Sequence, residues 1–293
     1  MAAGFLAGCG GGGSDTAGPA GDGRSGFDAQ RAFSDLQAQV AIGPRPSGSA
    51  GSRREVRFIG RRLRAAGIDH VAVQRPYRNV IGRVPGREAG SVVVGAHYDT
   101  KDIPGFLGAN DGASGVAVVL ELARELPQRV DGPTIDLVLF DGEETPRGAS
   151  FESAGDRGSR QFVRYAKDGG RNGAPRLSDI RAMVLFDMVG DCDLQVPREA
   201  NSDPSLYDRF ADAAGGESGS NEPFVGEAAG VLDDHTPFLR AGVAAVDLID
   251  FDYGPGPSPG AWWHTRQDDL QHVCARSLGA VGAPALAAVQ AIR

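Results

Sequence analysis

Five side chains between residues 97 and 144 are of the types that bind divalent metals or move protons at neutral pH: His97, Asp99, Asp111, Glu143 and Glu144. They fall in SVVVGAHYDTK, GANDGASGVAVVLELAREL and IDLVLFDGEE, two strand-like apolar runs around a helix-like one. Each has a plain structural reading as well. Asp111 would serve equally as a helix cap, a single histidine at a strand end is more often structural, and two exposed glutamates need only water. Buried side by side, Glu143 and Glu144 would require a cation or a shared proton. Recurrence favours chemistry, because a third apolar run, Ala182 to Phe186, ends at Asp187. Three strands thus deliver imidazole or carboxylate groups at their carboxyl ends, where open α/β sheets bind ligands.

The elements that must position these groups follow from apolar periodicity. Helices are predicted over 28–41 and 53–66, the second with Val56, Ile59 and Leu63 inward and its arginines on a solvated face. Two short strands lie in 71–84, a buried strand at Val92–Val94, a helix over Ala113–Leu126 and a strand over Ile135–Phe140. Further helices are expected from Ser159 to about Lys167, over Pro204–Ala214 and over 276–292, with a strand at Val243–Ile249. With 293 residues and 41% hydrophobic content the chain supports one large α/β domain, placed at 27–293.

Residues 1–26 are set apart as Gly, Ser, Ala and Asp without periodicity. Leu6-Ala7-Gly8-Cys9 resembles the lipobox of bacterial lipoproteins, in which the cysteine is lipidated and a flexible tether follows. Only eight residues precede Cys9, short for a signal peptide. An exported chain, anchored through Cys9 or secreted, is the expectation, and a lipid there would be its one membrane attachment. The net charge of −8 offers no footprint for nucleic acid. Cys192 and Cys274 stand equally for a disulfide or for two separate thiols. Two motif matches carry no chemistry. Gly8–Gly13 fits GxGxxG but follows no strand, and Gly256–Gly260 fits GxSxG but its serine is flanked by prolines with no helix after it.

Taken together, HYDTK, GANDGASG, DGEE, LFDMVG, DDHTPFL and WHT resemble, in order and approximate spacing over about residues 90–285, the zinc peptidase family M28, and more closely its glutaminyl cyclase branch. HExxH is absent. The resemblance implies a zinc exopeptidase-like three-layer sandwich, with a mixed, mostly parallel central sheet and helices on both faces. It implies a zinc held by Asp111, Glu144 and His264, with Glu143 as proton carrier and Asp187 and Asp233 as acids linked to it. One zinc is expected. A second would use His97 and Asp187, with Asp111 bridging and Asp99 orienting a ligand, as in the aminopeptidases of the same fold.

Two activities follow from the resemblance. A cyclase would convert an N-terminal glutamine to pyroglutamate, and an aminopeptidase would hydrolyse the first peptide bond. A third reading is a non-catalytic binding module on the same scaffold. Three features favour the cyclase: the long insertion between Glu144 and Gly158, Trp263 before His264 as a substrate-binding aromatic, and DDHTPFLRAGV. One departs from it, since Ala149 stands where cyclases carry a tryptophan. Peptide or protein N-termini are the expected partners, and the chain is expected to be a monomer.

Overall fold

The computed structural model describes residues 1, 26–218 and 220–293, so the lipobox-like segment lies outside the described residues. In chain order the elements are α1 (Ala29–Val40), α2 (Ala50–Ala65), β1 (Val71–Val73), β2 (Val80–Val84), β3 (Gly86–His97), α3 (Ala113–Glu125), β4 (Val130–Phe140) and α4 (Phe151–Ala154). There follow α5 (Arg157–Lys167), β5 (Ile180–Asp187), β6 (Arg198–Glu199), α6 (Pro204–Ser218), β7 (Glu227–Ala228), α7 (Thr236–Leu239), β8 (Ala244–Ile249) and α8 (Ala275–Ala291). Helix α2 starts three residues before its apolar stripe suggests. Ser49 is its N-cap, accepting from the Ser52 N–H at 3.0 Å.

Six strands form one sheet in the order β1-β2-β4-β3-β5-β8. The pairs β1/β2 and β2/β4 are antiparallel, whereas β4/β3, β3/β5 and β5/β8 are parallel. The parallel strands are apolar on both faces for a visible reason. Val92, Val94, Leu137, Leu139, Val184 and Phe186 face the cluster packed by α1, α2, α3, α6 and α8. Val93, Val138, Phe140, Met183 and Leu185 face the other cluster, under α5 and α7. The result is the expected three-layer sandwich with helices on both faces. Each fully buried side chain of this size stabilises by roughly 1.5–3 kcal/mol, so these two clusters hold the short helices more than helix propensity does. Among the described residues no helix is long and apolar enough to cross a membrane.

The topology also sets where chemistry belongs. From β3 the chain crosses through α3 to β4 on one side, then returns through α5 to β5 on the other, the two crossovers lying on opposite faces. A crevice opens at the carboxyl ends of strands where such crossovers diverge. Helix α3 must come close to β5 to line it. A Cβ on Gly115 would stand 2.0 Å from the Phe186 carbonyl oxygen.

Candidate metal centre and active site

The carboxyl end of β3 delivers His97, that of β4 delivers Asp141 to Glu144, and β5 ends at Asp187. Asp111 arrives on the turn that opens α3. It does not cap the helix, because Gly112 is the N-cap residue and no side chain caps it. Glycine is required there, since φ is +100° and a Cβ would stand 2.9 Å from the Asp99 carbonyl oxygen. His264 comes from a loop 120 residues beyond Glu144. Its φ of +53° is a left-handed conformation uncommon for a side-chain-bearing residue. That backbone aims the imidazole inward.

Two groups of ligand-type atoms meet at this crevice. His264 Nε2 lies 3.3 Å from Asp111 Oδ2 and 3.1 Å from Glu144 Oε1. His97 Nε2 lies 3.3 Å from Asp111 Oδ1 and 3.2 Å from Asp187 Oδ1. Within each triad the ligand atoms are within 4.8 Å of one another, and Asp111 belongs to both. Two buried carboxylates and an imidazole are donors that zinc accepts, with a fourth position left for water or substrate. The donor set therefore fits a metal.

The electrostatics agree with that chemistry. Burial pulls the His264 imidazole down, but hydrogen bonds with Asp111 and Glu144 outweigh it and push it up to about 9. Asp111 is held well below the usual carboxylate range, because contacts from His264 and His97 overcome its burial. Burial, and then the neighbouring Glu144, drive Glu143 well above that range. Asp233 is raised by burial and by Asp247. Buried acids raised in this way, lining a cleft, are candidates for exchanging a proton with a substrate.

Asp99 acts through two separate groups. Its carbonyl oxygen accepts from His97 Nδ1 at 3.1 Å, while its carboxylate Oδ1 stands 3.8 Å from that nitrogen. The carboxylate instead accepts from the Gly142 and Glu143 N–H groups at 2.8 and 3.1 Å, fixing the turn that carries Glu143. The carbonyl contact leaves His97 Nε2 facing Asp111 and Asp187.

Residues that sequence reasoning passed over gather here as well. Asp156 completes a third buried triad with Glu143 and Asp233, and burial raises it to about 6. It sits in a left-handed turn, φ +53°, within the insertion, where the sequence carries no signal for it. Lys101 donates to Glu144 Oε2 at 2.6 Å and to Thr145 Oγ1 at 3.0 Å. Asp268 is fully buried beneath the Asp111 turn and is raised to about 7, first by burial and then by Asp111.

Above the acids lies a cavity of about 600 Å³, lined by Asp111, Glu143, Glu144, Asp187, Asp233 and His264 and walled by Phe151, Ile249, Phe251 and Trp263. Trp263 stacks on His264, with ring centroids 3.7 Å apart and planes 19° apart. Phe151 supplies an aromatic face to this wall, two residues beyond Ala149. Trp262 turns away and packs against Tyr253 and His272, anchoring the loop. The GxSxG match lies in that same loop, with no helix after its serine. Cys192 and Cys274 form a disulfide, tying the segment after β5 to the end of the His264 loop.

Residues 79–289 match the profile of Peptidase family M28. The chain belongs to that family. Among relatives of this M28 chain, the glutaminyl-peptide cyclotransferase of Drosophila melanogaster is 29% identical over 230 residues, covering 69% of this chain and 61% of that protein. The match thus spans about three fifths of that relative's length. Among solved structures, the glutaminyl cyclase of an Acidobacteriales bacterium is 34% identical with a TM-score of 0.79, over 94% of this chain and 98% of that one. A leucine aminopeptidase precursor from Bacteroides thetaiotaomicron is 26% identical with a TM-score of 0.78, over 92% and 99%. M28 membership accounts for the sheet and the acid-rich crevice, and identifies the chain as an enzyme, cyclase or peptidase.

Proposed function

We propose that this M28 enzyme is a zinc-dependent glutaminyl-peptide cyclotransferase, with residues 27–293 as one catalytic domain. Asp111, Glu144 and His264 would hold the zinc, which when bound supplies a Lewis acid for the γ-carbonyl of an N-terminal glutamine. The substrate's own α-amine attacks that carbonyl carbon. A C–N bond forms to close the ring, the bond to the amide nitrogen breaks, and ammonia leaves. One proton must pass from the attacking amine to the departing nitrogen, and Glu143 is placed to carry it. Asp187 and Asp233 face the same space and would orient the amine. Trp263 and Phe151 close the walls around the glutamine side chain.

The observation that carries this reading is the cavity. Its floor is acidic, its walls are apolar, and Trp263 lies flat on a predicted zinc ligand. A pocket with apolar walls over reactive acids suits an intramolecular attack, which needs no water as nucleophile. Similarity to proteins named as glutaminyl cyclases supports the same reading. One observation favours hydrolysis instead: Asp111 is shared between two triads, as a two-metal aminopeptidase requires. The zinc-loaded protein should release ammonia from a peptide with N-terminal glutamine and leave a leucine peptide intact. Leucine-peptide hydrolysis without ammonia release would replace the cyclase with the aminopeptidase. The Cys192–Cys274 disulfide supports an exported protein, for which lipidation at Cys9 would provide the anchor.

A further inference from the structure

Gly112, the N-cap residue of α3, has no side chain with which to cap the helix, and the turn ahead of it is held in part by a distant loop. The Asn110 and Asp111 N–H groups both find the same carboxylate. The Asn110 N–H donates to Asp268 Oδ1 at 2.7 Å and the Asp111 N–H to Asp268 Oδ2 at 3.1 Å, across more than 150 residues of chain.

Asp268 lies four residues after His264, and a tight turn joins them. The Thr265 N–H donates to the Trp262 carbonyl at 3.2 Å, and the Asp268 N–H to the Thr265 carbonyl at 3.1 Å. Asp111 is therefore gripped twice by one short segment. His264 Nε2 stands 3.3 Å from its carboxylate, and Asp268 holds its main chain. Two further bonds lock the grip. Tyr253, fully buried, donates its hydroxyl to Asp268 Oδ1 at 3.2 Å. The Asn110 side-chain oxygen accepts from the Gly190 N–H at 2.7 Å, which ties the same turn to the segment leaving Asp187.

We infer that Asp268 is a positioning residue that sets Asp111 and His264 at the spacing a metal requires, welding two ligand-bearing loops from distant parts of the sequence. This rests on the reading of Asp111, Glu144 and His264 as the metal ligands. Groups that hold ligands in place commonly govern metal affinity by about 10–100-fold. An asparagine at 268 accepts through one oxygen but turns an NH2 toward the second N–H. Alanine leaves both buried N–H groups without a partner.

The test measures zinc affinity by competition with a chromogenic chelator, together with hydrogen exchange of the segment 108–112, for the wild type, Asp268→Asn, Asp268→Ala, His264→Ala and the neighbouring Asp269→Asn. Expected are a loss of zinc affinity of about 10–100-fold in Asp268→Ala, a smaller loss in Asp268→Asn, faster exchange at Asn110 and Asp111 in both, and wild-type values for Asp269→Asn. Circular dichroism identifies any variant that fails to fold, and if alanine does so the asparagine variant decides. Wild-type affinity and exchange in a folded Asp268 variant overturn the inference while leaving the metal site standing. Wild-type affinity in His264→Ala, or no zinc bound by the wild type, overturns the ligand assignment and the inference with it.

Discussion

Replacing Glu143 by glutamine separates proton transfer from metal binding. The side chain keeps its shape and loses only the capacity to take up and release a proton. Glu143 is 7% exposed, so bulk water cannot readily stand in for it. Its carboxylate is not one of the three atoms gathered around His264, so zinc content should not change. Positioned acid–base groups contribute about 10²–10⁴-fold. Burial places this one in the middle of that range, and a loss of about 10³-fold in kcat corresponds to roughly 4 kcal/mol of barrier. KM should stay within about threefold, because the walls that bind the side chain are untouched. Thermal stability should not fall, since the substitution removes a carboxylate that is raised partly by Glu144 beside it. The assay is continuous ammonia release from a glutamine-led peptide, with zinc measured on the same preparation. A variant that keeps kcat within tenfold of the wild type, or that loses its zinc, refutes Glu143 as the proton carrier.

Two other outcomes are expected. Dialysed and reloaded protein should hold one zinc per chain, and His264→Ala should hold none under the same conditions; two zincs per chain by elemental analysis would favour the aminopeptidase. Away from the site, Glu55 is fully buried 3.8 Å from Arg45 and is raised from 4.5 to about 7, burial outweighing the attraction of Arg45. Its folded form binds a proton more tightly than its unfolded form, so its contribution makes stability fall as pH rises from about 4.5 to 7. Glu55→Gln should flatten the thermal midpoint over that window, and an unchanged slope would show that Glu55 does not cause it.

The sheet was legible in the sequence because a strand buried on both faces is written as a nearly continuous apolar run, interrupted in these strands only at Asp136, which pairs with Arg83. Val92–Val94, Ile135–Phe140 and Ala182–Phe186 each carry that signal, and each run ends at a polar group that reaches the crevice. The two-residue strands β6 and β7 bury no apolar face and left no trace. The site was legible where an acid or imidazole sits at the end of such a run, or within a motif, and not elsewhere. Asp268 and Asp156 lie in polar loops with no periodicity to mark them, and the contacts that matter cross most of the chain. The disulfide joins cysteines 82 residues apart, a separation that says nothing about distance until β5 and the His264 loop are folded. Asp99 shows the opposite limit. The resemblance implied that Asp99 orients a ligand, but not through which atoms: its carbonyl accepts from His97 and its carboxylate holds the Glu143 turn.

His97 is where the two enzyme readings part, and its surroundings explain how one scaffold serves both. With Nδ1 directed at the Asp99 carbonyl, Nε2 faces two carboxylates, Asp111 and Asp187, that cannot both be left bare in a buried site. Either a proton on Nε2 or a second cation satisfies them. A proton would make His97 an imidazolium paired with Asp111 and Asp187, leaving Asp187 to orient the proposed substrate amine and Asp111, Glu144 and His264 as the set that would hold one zinc. A second cation would be held by His97, Asp111 and Asp187, and Asp187 would then no longer serve the amine. The same three side chains, His97, Asp111 and Asp187, would thus serve a one-metal cyclase or a two-metal hydrolase according to what lies between them. What tilts this chain toward the first is the wall above: Phe151, Phe251 and Trp263 line the cavity over the acids, an apolar surface that would hold a glutamine side chain with its own amine near Glu143, Asp187 and Asp233.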